Sequence, residues 1–223
     1  MDSGIENEIG YIGISISTIQ MIHTRYTELC RTRSDIHEHL PTLAKYASEC
    51  THITECGVRT AVSSYAFASV LVAKPDAKLI QVDPDWHPNI DAFQKECAAE
   101  GLAAVFHNQS DLECPMESTD LLFIDTWHVY GQLKRELARW HTHVRKYIIL
   151  HDTVVDGLHG ETIRCGMDAV KQSEQSGIPI DEIRKGLAFA VNEFLQSHPE
   201  WAVHAHFVNN NGLTVLTRLT RLS

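Results

Sequence analysis

Residues 120–130 read DLLFIDTWHVY, and this stretch sets how the rest of the chain is read. Leu121 to Ile124 form an unbroken apolar run with no polar alternation, the pattern of a strand buried on both faces of a parallel sheet. The run ends in Asp125, and Trp127, His128 and Tyr130 follow within five positions. In open α/β sheets ligands bind outside the carboxyl ends of the strands, so a decorated strand end is a candidate site. The plainer reading is that these side chains cap a turn and pack locally.

Working outward, KYIILHD (146–152) repeats the pattern and ends in His151 and Asp152. Upstream, THITECGV (51–58), KLIQVD (78–83) and AAVFHNQ (103–109) read as three more strands. Helical spacing fills residues 60–73, 89–101 and 130–140, with further helices expected over 161–175 and 182–197. Residues 11–33 look helical towards their C-terminal end. WAVHAHFV (201–208) and LTVLTR (213–218) flank Asn209-Asn210-Asn211-Gly212, residues that accept the positive φ of a hairpin turn. The expected fold class is therefore α/β: a Rossmann-like, doubly wound, seven-stranded sheet. It is mostly parallel, has a C-terminal antiparallel hairpin and carries helices on both faces. Residues 1–33 are expected to be an N-terminal helical extension, serving as a lid, a homodimer contact or an ordinary packing helix, and 34–223 the main domain.

Bulk properties narrow the function. A chain of 223 residues, 43% hydrophobic and 22% charged, suits one sizeable domain. The formal net charge of -10 argues against nucleic acid or an anionic membrane as partner. The first residues are acidic and polar rather than a signal peptide, and no apolar run approaches the ~20 residues that cross a bilayer. Six cysteines without CxxC spacing read as reduced thiols of a cytoplasmic protein.

Each strand end offers candidates. After the first come Glu55, Gly57, Ala61 and Ser63; Gly57 would let a ligand approach the backbone. The dinucleotide fingerprint GxGxxG and the phosphate loop are both absent. Asp83, after the second strand, could accept from both hydroxyls of a ribose, or simply form a turn before Pro84. Ser110 or Asp111, after the third, could lie near an adenine-sized pocket. Asp125, His128, His151 and Asp152, from the fourth and fifth, suit a divalent ion with a general base beside it.

In this order the strand ends resemble those of the class I S-adenosylmethionine-dependent methyltransferases, over roughly residues 34–218. The similarity is closest to the metal-dependent O-methyltransferases of the catechol, macrolide-sugar and rhamnosyl or cephalosporin-hydroxylase-like groups. The resemblance implies that Glu55, Gly57, Ser63, Asp83, Ser110, Asp111 and Asp125 bind S-adenosylmethionine. It implies that Asp125, His151 and Asp152 hold Mg²⁺ or Mn²⁺, with catalysis by His128 as base together with Asp125. Two departures stand out: Ala61 where glycine is usual, and His151 where an acid is commoner. The implied reaction is methyl transfer to a hydroxyl of a small-molecule or glycan acceptor. A sugar such as rhamnose is favoured, and a catechol or phenol is the rival. Trp127 and Tyr130, with Trp86, are candidates for acceptor contact or for packing. A nicotinamide-dependent oxidoreductase and a non-catalytic binding protein are the readings from other classes.

Overall fold

The structure is a computed structural model that describes residues 20–219. Seven strands form one sheet: β1 (His52–Cys56), β2 (Lys78–Val82), β3 (Ala103–His107), β4 (Thr119–Ile124), β5 (Val144–His151), β6 (Trp201–Phe207) and β7 (Leu213–Arg218). Their order is β3-β2-β1-β4-β5-β7-β6. The first five are parallel, and β7 pairs antiparallel with both β5 and β6. The chain steps outward from β1 through β2 to β3, then returns to the other side of β1 as β4. The topological switch point therefore lies between β1 and β4, directly beneath Gly57 and Asp125.

Alternation along the strands divides the core between two faces. Ile53, Leu79, Leu121, Phe123 and Ile149 pack under α1 (Gln20–Leu29), α2 (Leu40–Ala47), α3 (Val62–Leu71) and α4 (Pro88–Ala99). Ile80, Val82, Leu122, Ile124, Ile148 and Leu150 pack on the opposite side under α5 (Tyr130–Trp140) and α9 (Leu187–Ser197). All six residues of β4 are buried, as its unbroken apolar run requires.

Three helical expectations are corrected. Residues 161–175 hold two helices, α6 (Glu161–Arg164) and α7 (Ala169–Ser176). Gly166 turns the chain at φ +63, and the Asp168 side chain accepts from Val170 N and Lys171 N to start α7 anew. Residues 182–197 divide into α8 (Ile180–Arg184) and α9. Between them Lys185 pairs with His159, and a Cβ on Gly186 would lie 2.3 Å from Asp156 O. That contact forces an extended link no helix could supply. In the third, α1 ends at Leu29, short of the expected 33, while residues 11–19 lie outside the described residues. Its Ile22 is fully buried in the same core as Leu40 and Phe67.

All six cysteines are free thiols. Among the described residues no helix is long and apolar enough to cross a membrane.

Candidate active site

The turn after β1 is shaped by its neighbours. Gly57 sits at φ +87, and a Cβ there would come 2.0 Å from Asp125 O. Glycine is needed because the end of β4 passes this close, a requirement that holds with or without a ligand. The following residues Arg59 (φ 46) and Ala61 (φ 64) are also left-handed. Asp83 braces them: its Oδ2 accepts from Val58 N at 2.8 Å and Arg59 N at 2.9 Å, and its Oδ1 from Asp85 N at 2.8 Å. A carboxylate has about four acceptor sites, so one remains for a ligand hydroxyl.

Between these strand ends lies a cavity of about 330 Å³. Gly57, Asp83, Ser110, Asp111 and Asp125 line it, as does Trp127. Trp127 therefore stands with the residues expected to hold the cofactor rather than with an acceptor. A smaller cavity of about 160 Å³ adjoins it across Gly57, Arg59 and Asp125, and takes in Ser34, Asp35 and Ser63. The wall of a third, lined by Arg33, Ser34, Asp35, His37, Glu38, Asn210 and Asn211, shares Ser34 and Asp35 with the second. The three form a trench with Asp125 near its middle.

Some expected residues stand apart from it. Glu55 is fully buried beneath the turn and lines none of these cavities. It accepts from the Ser63 hydroxyl, from Ser64 Oγ at 2.6 Å and from Gln81 Nε2 at 3.3 Å. Burial pushes its carboxyl up to about 7 despite these donors. Tyr130 is buried against α9, where its hydroxyl donates to Glu193 at 2.7 Å and accepts from Lys134 Nζ at 2.8 Å. Trp86 is half exposed and donates to Asp91.

The ends of β4 and β5 bring together two carboxylates and two imidazoles. His128 Nε2 lies 3.0 Å and His151 Nδ1 3.1 Å from the same Asp125 Oδ1. Burial opposes the Asp125 charge, but the two imidazoles overcome it and hold the carboxyl well below its usual range. The other face of His128 meets Asp152 Oδ2 at 3.0 Å and Asp156 Oδ2 at 3.5 Å. Burial alone would lower the His128 pKa; the surrounding carboxylates raise it well above the ordinary imidazole value. His151 is raised for the same reason. Burial raises the Asp152 carboxyl. Asp152 is also left-handed at φ 56, a strained conformation for a non-glycine residue.

The cluster fits a divalent ion. Ligand atoms of Asp125, His128 and Asp152 lie within 4.8 Å of one another. Asp152 Oδ1 is buried with no hydrogen-bond partner, a deficit a cation or an acceptor hydroxyl would remove. Two carboxylates and an imidazole suit Mg²⁺ or Mn²⁺ with open positions for oxygen ligands. His151 stands beside this trio: its Nδ1 lies 3.1 Å from Asp125 Oδ1 and 3.6 Å from Asp152 Oδ1, and its Nε2 faces Asn210 O at 3.3 Å.

No protein-family model matches the chain, and no curated protein does. Solved structures do. A protein from Corynebacterium glutamicum superposes with a TM-score of 0.57 at 16% identity, covering 92% of this chain and 91% of that one. The O-methyltransferase TomG from Streptomyces achromogenes, solved with S-adenosylmethionine, gives 0.53 at 14% identity over 97% and 92%. An O-methyltransferase from Bacillus cereus, solved with S-adenosylhomocysteine, gives 0.53 at 12% identity over 93% and 95%. The chain has the class I methyltransferase fold.

On this methyltransferase fold the structure adds residues that strand-end reading missed. Thr126 and Gln132 line the first cavity, Gln132 because the first turn of α5 faces the end of β4. Glu136 lies fully buried behind them, accepting from Thr126 Oγ1 and from Gln132 Nε2. Ser34 and Asp35 reach the trench because the hairpin turn clasps their segment: Asn210 Nδ2 donates to Ser34 O, and Asn209 Nδ2 to Glu38 Oε2. Only the hairpin's composition signalled that role.

Proposed function

We propose that the protein is an S-adenosylmethionine-dependent O-methyltransferase acting on a hydroxyl of a hydroxyl-rich acceptor such as a sugar. One observation carries the reading. Asp125, with His128 at 3.0 Å from it, stands where a nucleoside-sized cavity meets a second one, and that second cavity leads on to a third lined by polar residues. When bound, the cofactor supplies an electrophilic methyl group on a sulfonium. Asp83 and Asp111 would take its ribose and adenine, a reading supported by their lining one cavity together with Trp127. Ser63, with the turn from Gly57 to Thr60, lines the smaller cavity, where the amino-acid end would lie.

His128 is the residue to take the acceptor's proton. It must be neutral to do so, and its raised pKa means that this form grows as pH climbs above the ordinary imidazole range. Asp125 would hold the resulting imidazolium at 3.0 Å. A divalent ion held by Asp125 and Asp152, with His128 in reach, would lower the pKa of the acceptor hydroxyl. One imidazole lone pair cannot both ligate an ion and accept a proton. If His128 serves as base, the ion therefore rests on the two carboxylates alone.

The lining of the third cavity supports the sugar over a catechol. Arg33, Asp35, His37, Glu38, Asn210 and Asn211 offer hydrogen bonds and charge but no aliphatic or benzenoid surface for a phenol ring. The test is methyl transfer from labelled S-adenosylmethionine to a panel of glycosides and catechols. Transfer to glycosides is expected. Transfer to catechols alone would overturn the acceptor class, and failure to bind S-adenosylhomocysteine in calorimetry would overturn the activity.

A further inference from the structure

Behind His128 lies a carboxylate that the proposed reaction does not use. Asp156 is fully buried, in the segment between β5 and α6. Arg164 grips it with two parallel bonds, Nε to Oδ1 at 2.6 Å and Nη2 to Oδ2 at 2.8 Å. Its backbone is fixed at both ends as well: its N–H donates to Asp152 O at 3.0 Å, and its carbonyl accepts from Leu187 N at 2.9 Å, at the start of α9. Gly186 packs against that same carbonyl. The gripped Oδ2 stands 3.5 Å from His128 Nδ1. On the other side of the imidazole, His128 O accepts from Glu161 N at 2.9 Å, at the start of α6.

We propose that the Asp156–Arg164 pair is the positioning device of the site, a rigid wall that sets the plane of the His128 ring between Asp125 and Asp152. This rests on the reading of His128 as the proton acceptor. Asp156 differs from the three other acids against His128, which are Asp125, Asp152 and, at 3.8 Å, Glu161, in having its own cation and no exposure. Its charge is already balanced, so it neither takes a proton from the acceptor nor meets the trench. A ring with carboxylates at both nitrogens has two stops, Asp125 and Asp152, each of which a ligand would also contact. Asp156 is the third stop, and it stays fixed whichever of them the ligand engages. A residue acting through another in this way resembles the outer-shell partners of ligating histidines, whose loss costs activity by about 10–100-fold.

The experiment combines kinetics with a readout that needs no acceptor. Asp156→Asn keeps the shape and one bond to Arg164. It should lower kcat by about 10–100-fold while KM for S-adenosylmethionine and S-adenosylhomocysteine binding stay within about twofold. Arg164→Ala should do the same, with part of the loss recovered in Arg164→Lys. The Arg164 side chain is 38% exposed, so these two variants carry the test if Asp156→Asn fails to fold. In ¹⁵N-histidine-labelled protein, the His128 ring signals, assigned by their loss in His128→Gln, should shift in Asp156→Asn or Arg164→Ala while those of His151 hold. Unchanged kcat in a folded variant that still binds S-adenosylhomocysteine would overturn the proposal. So would unmoved ring signals. Wild-type protein that methylates nothing would overturn the activity itself, and the ring signals would then decide the positioning claim alone.

Discussion

Glu55 and Asp125 stand near the carboxyl ends of two paired strands, the first fully buried and the second partly so, and the protein treats them in opposite ways. Glu55 is surrounded by neutral donors, two serine hydroxyls and a glutamine amide, and its carboxyl rises to about 7. Asp125 is surrounded by two imidazoles, and its carboxyl falls well below its usual range. The neutral donors around Glu55 do not offset its burial, whereas the two imidazoles around Asp125 more than offset the cost of its charge. The acid with neutral partners sits under the turn as part of the scaffold. The acid with cationic partners faces the trench.

The largest expected effect breaks the contact that joins the two strand ends. Gly57→Ala would place a methyl group 2.0 Å from Asp125 O at a φ of +87. It should cost about 3 kcal/mol or more in urea unfolding. A loss under about 1 kcal/mol would mean the two strand ends are free to separate. Next, His128→Ala should lower kcat by about 10²-fold or more while S-adenosylhomocysteine still binds in calorimetry. In the wild type, kcat should rise with pH through a value above the ordinary imidazole range, because the neutral ring is the active form. A flat profile together with a mild His128→Ala phenotype would remove His128 from the reaction. Chelation should abolish turnover and Mg²⁺ should restore it; full activity in chelator would leave the imidazoles acting without an ion.

A smaller effect separates the two acids directly. The Glu55 carboxyl rises from 4.5 to about 7 on folding, so the unfolded chain ionises first. Its contribution to stability is present below pH 4.5 and is lost as pH rises to about 7 and beyond. Glu55→Gln should therefore gain about 2 kcal/mol at pH 8 relative to pH 5 in thermal unfolding. A variant that loses stability more steeply with pH than the wild type would show that Glu55 is charged in the folded state. Smallest of all is Ala61→Gly. Relief of the left-handed conformation at φ 64 and loss of a buried methyl group nearly cancel, leaving a change within about 1 kcal/mol. Gly57 and Ala61 share one turn and one sign of φ, so the pair separates what a contact demands from what a backbone angle demands.

The seven strands and the hairpin were legible because unbroken apolar runs and an Asn-Asn-Asn-Gly turn are local signals. So was the convergence of Asp125, His128, His151 and Asp152 at two adjacent strand ends. The roles within that cluster were not legible, since they depend on which nitrogen meets which oxygen across β4, β5 and the hairpin. His151 shows this: Asn210 O, brought from 59 residues away, occupies its second nitrogen. Tyr130 follows the site in sequence, but it begins α5, whose buried face turns it towards α9. The break at Gly186 was hidden for the same reason, because what forbids a side chain there is the carbonyl of Asp156, thirty residues earlier.

The hairpin turn hangs from the far edge of the sheet, where β6 has only β7 beside it. Its asparagines nonetheless grip residues 34–38 at one point and reach His151 at another. The turn at the edge of the sheet thus lines the polar end of the trench. A change of length or composition there would act in two places at once: on the polar cavity that the turn lines, and on the second nitrogen of His151, whose first nitrogen meets Asp125.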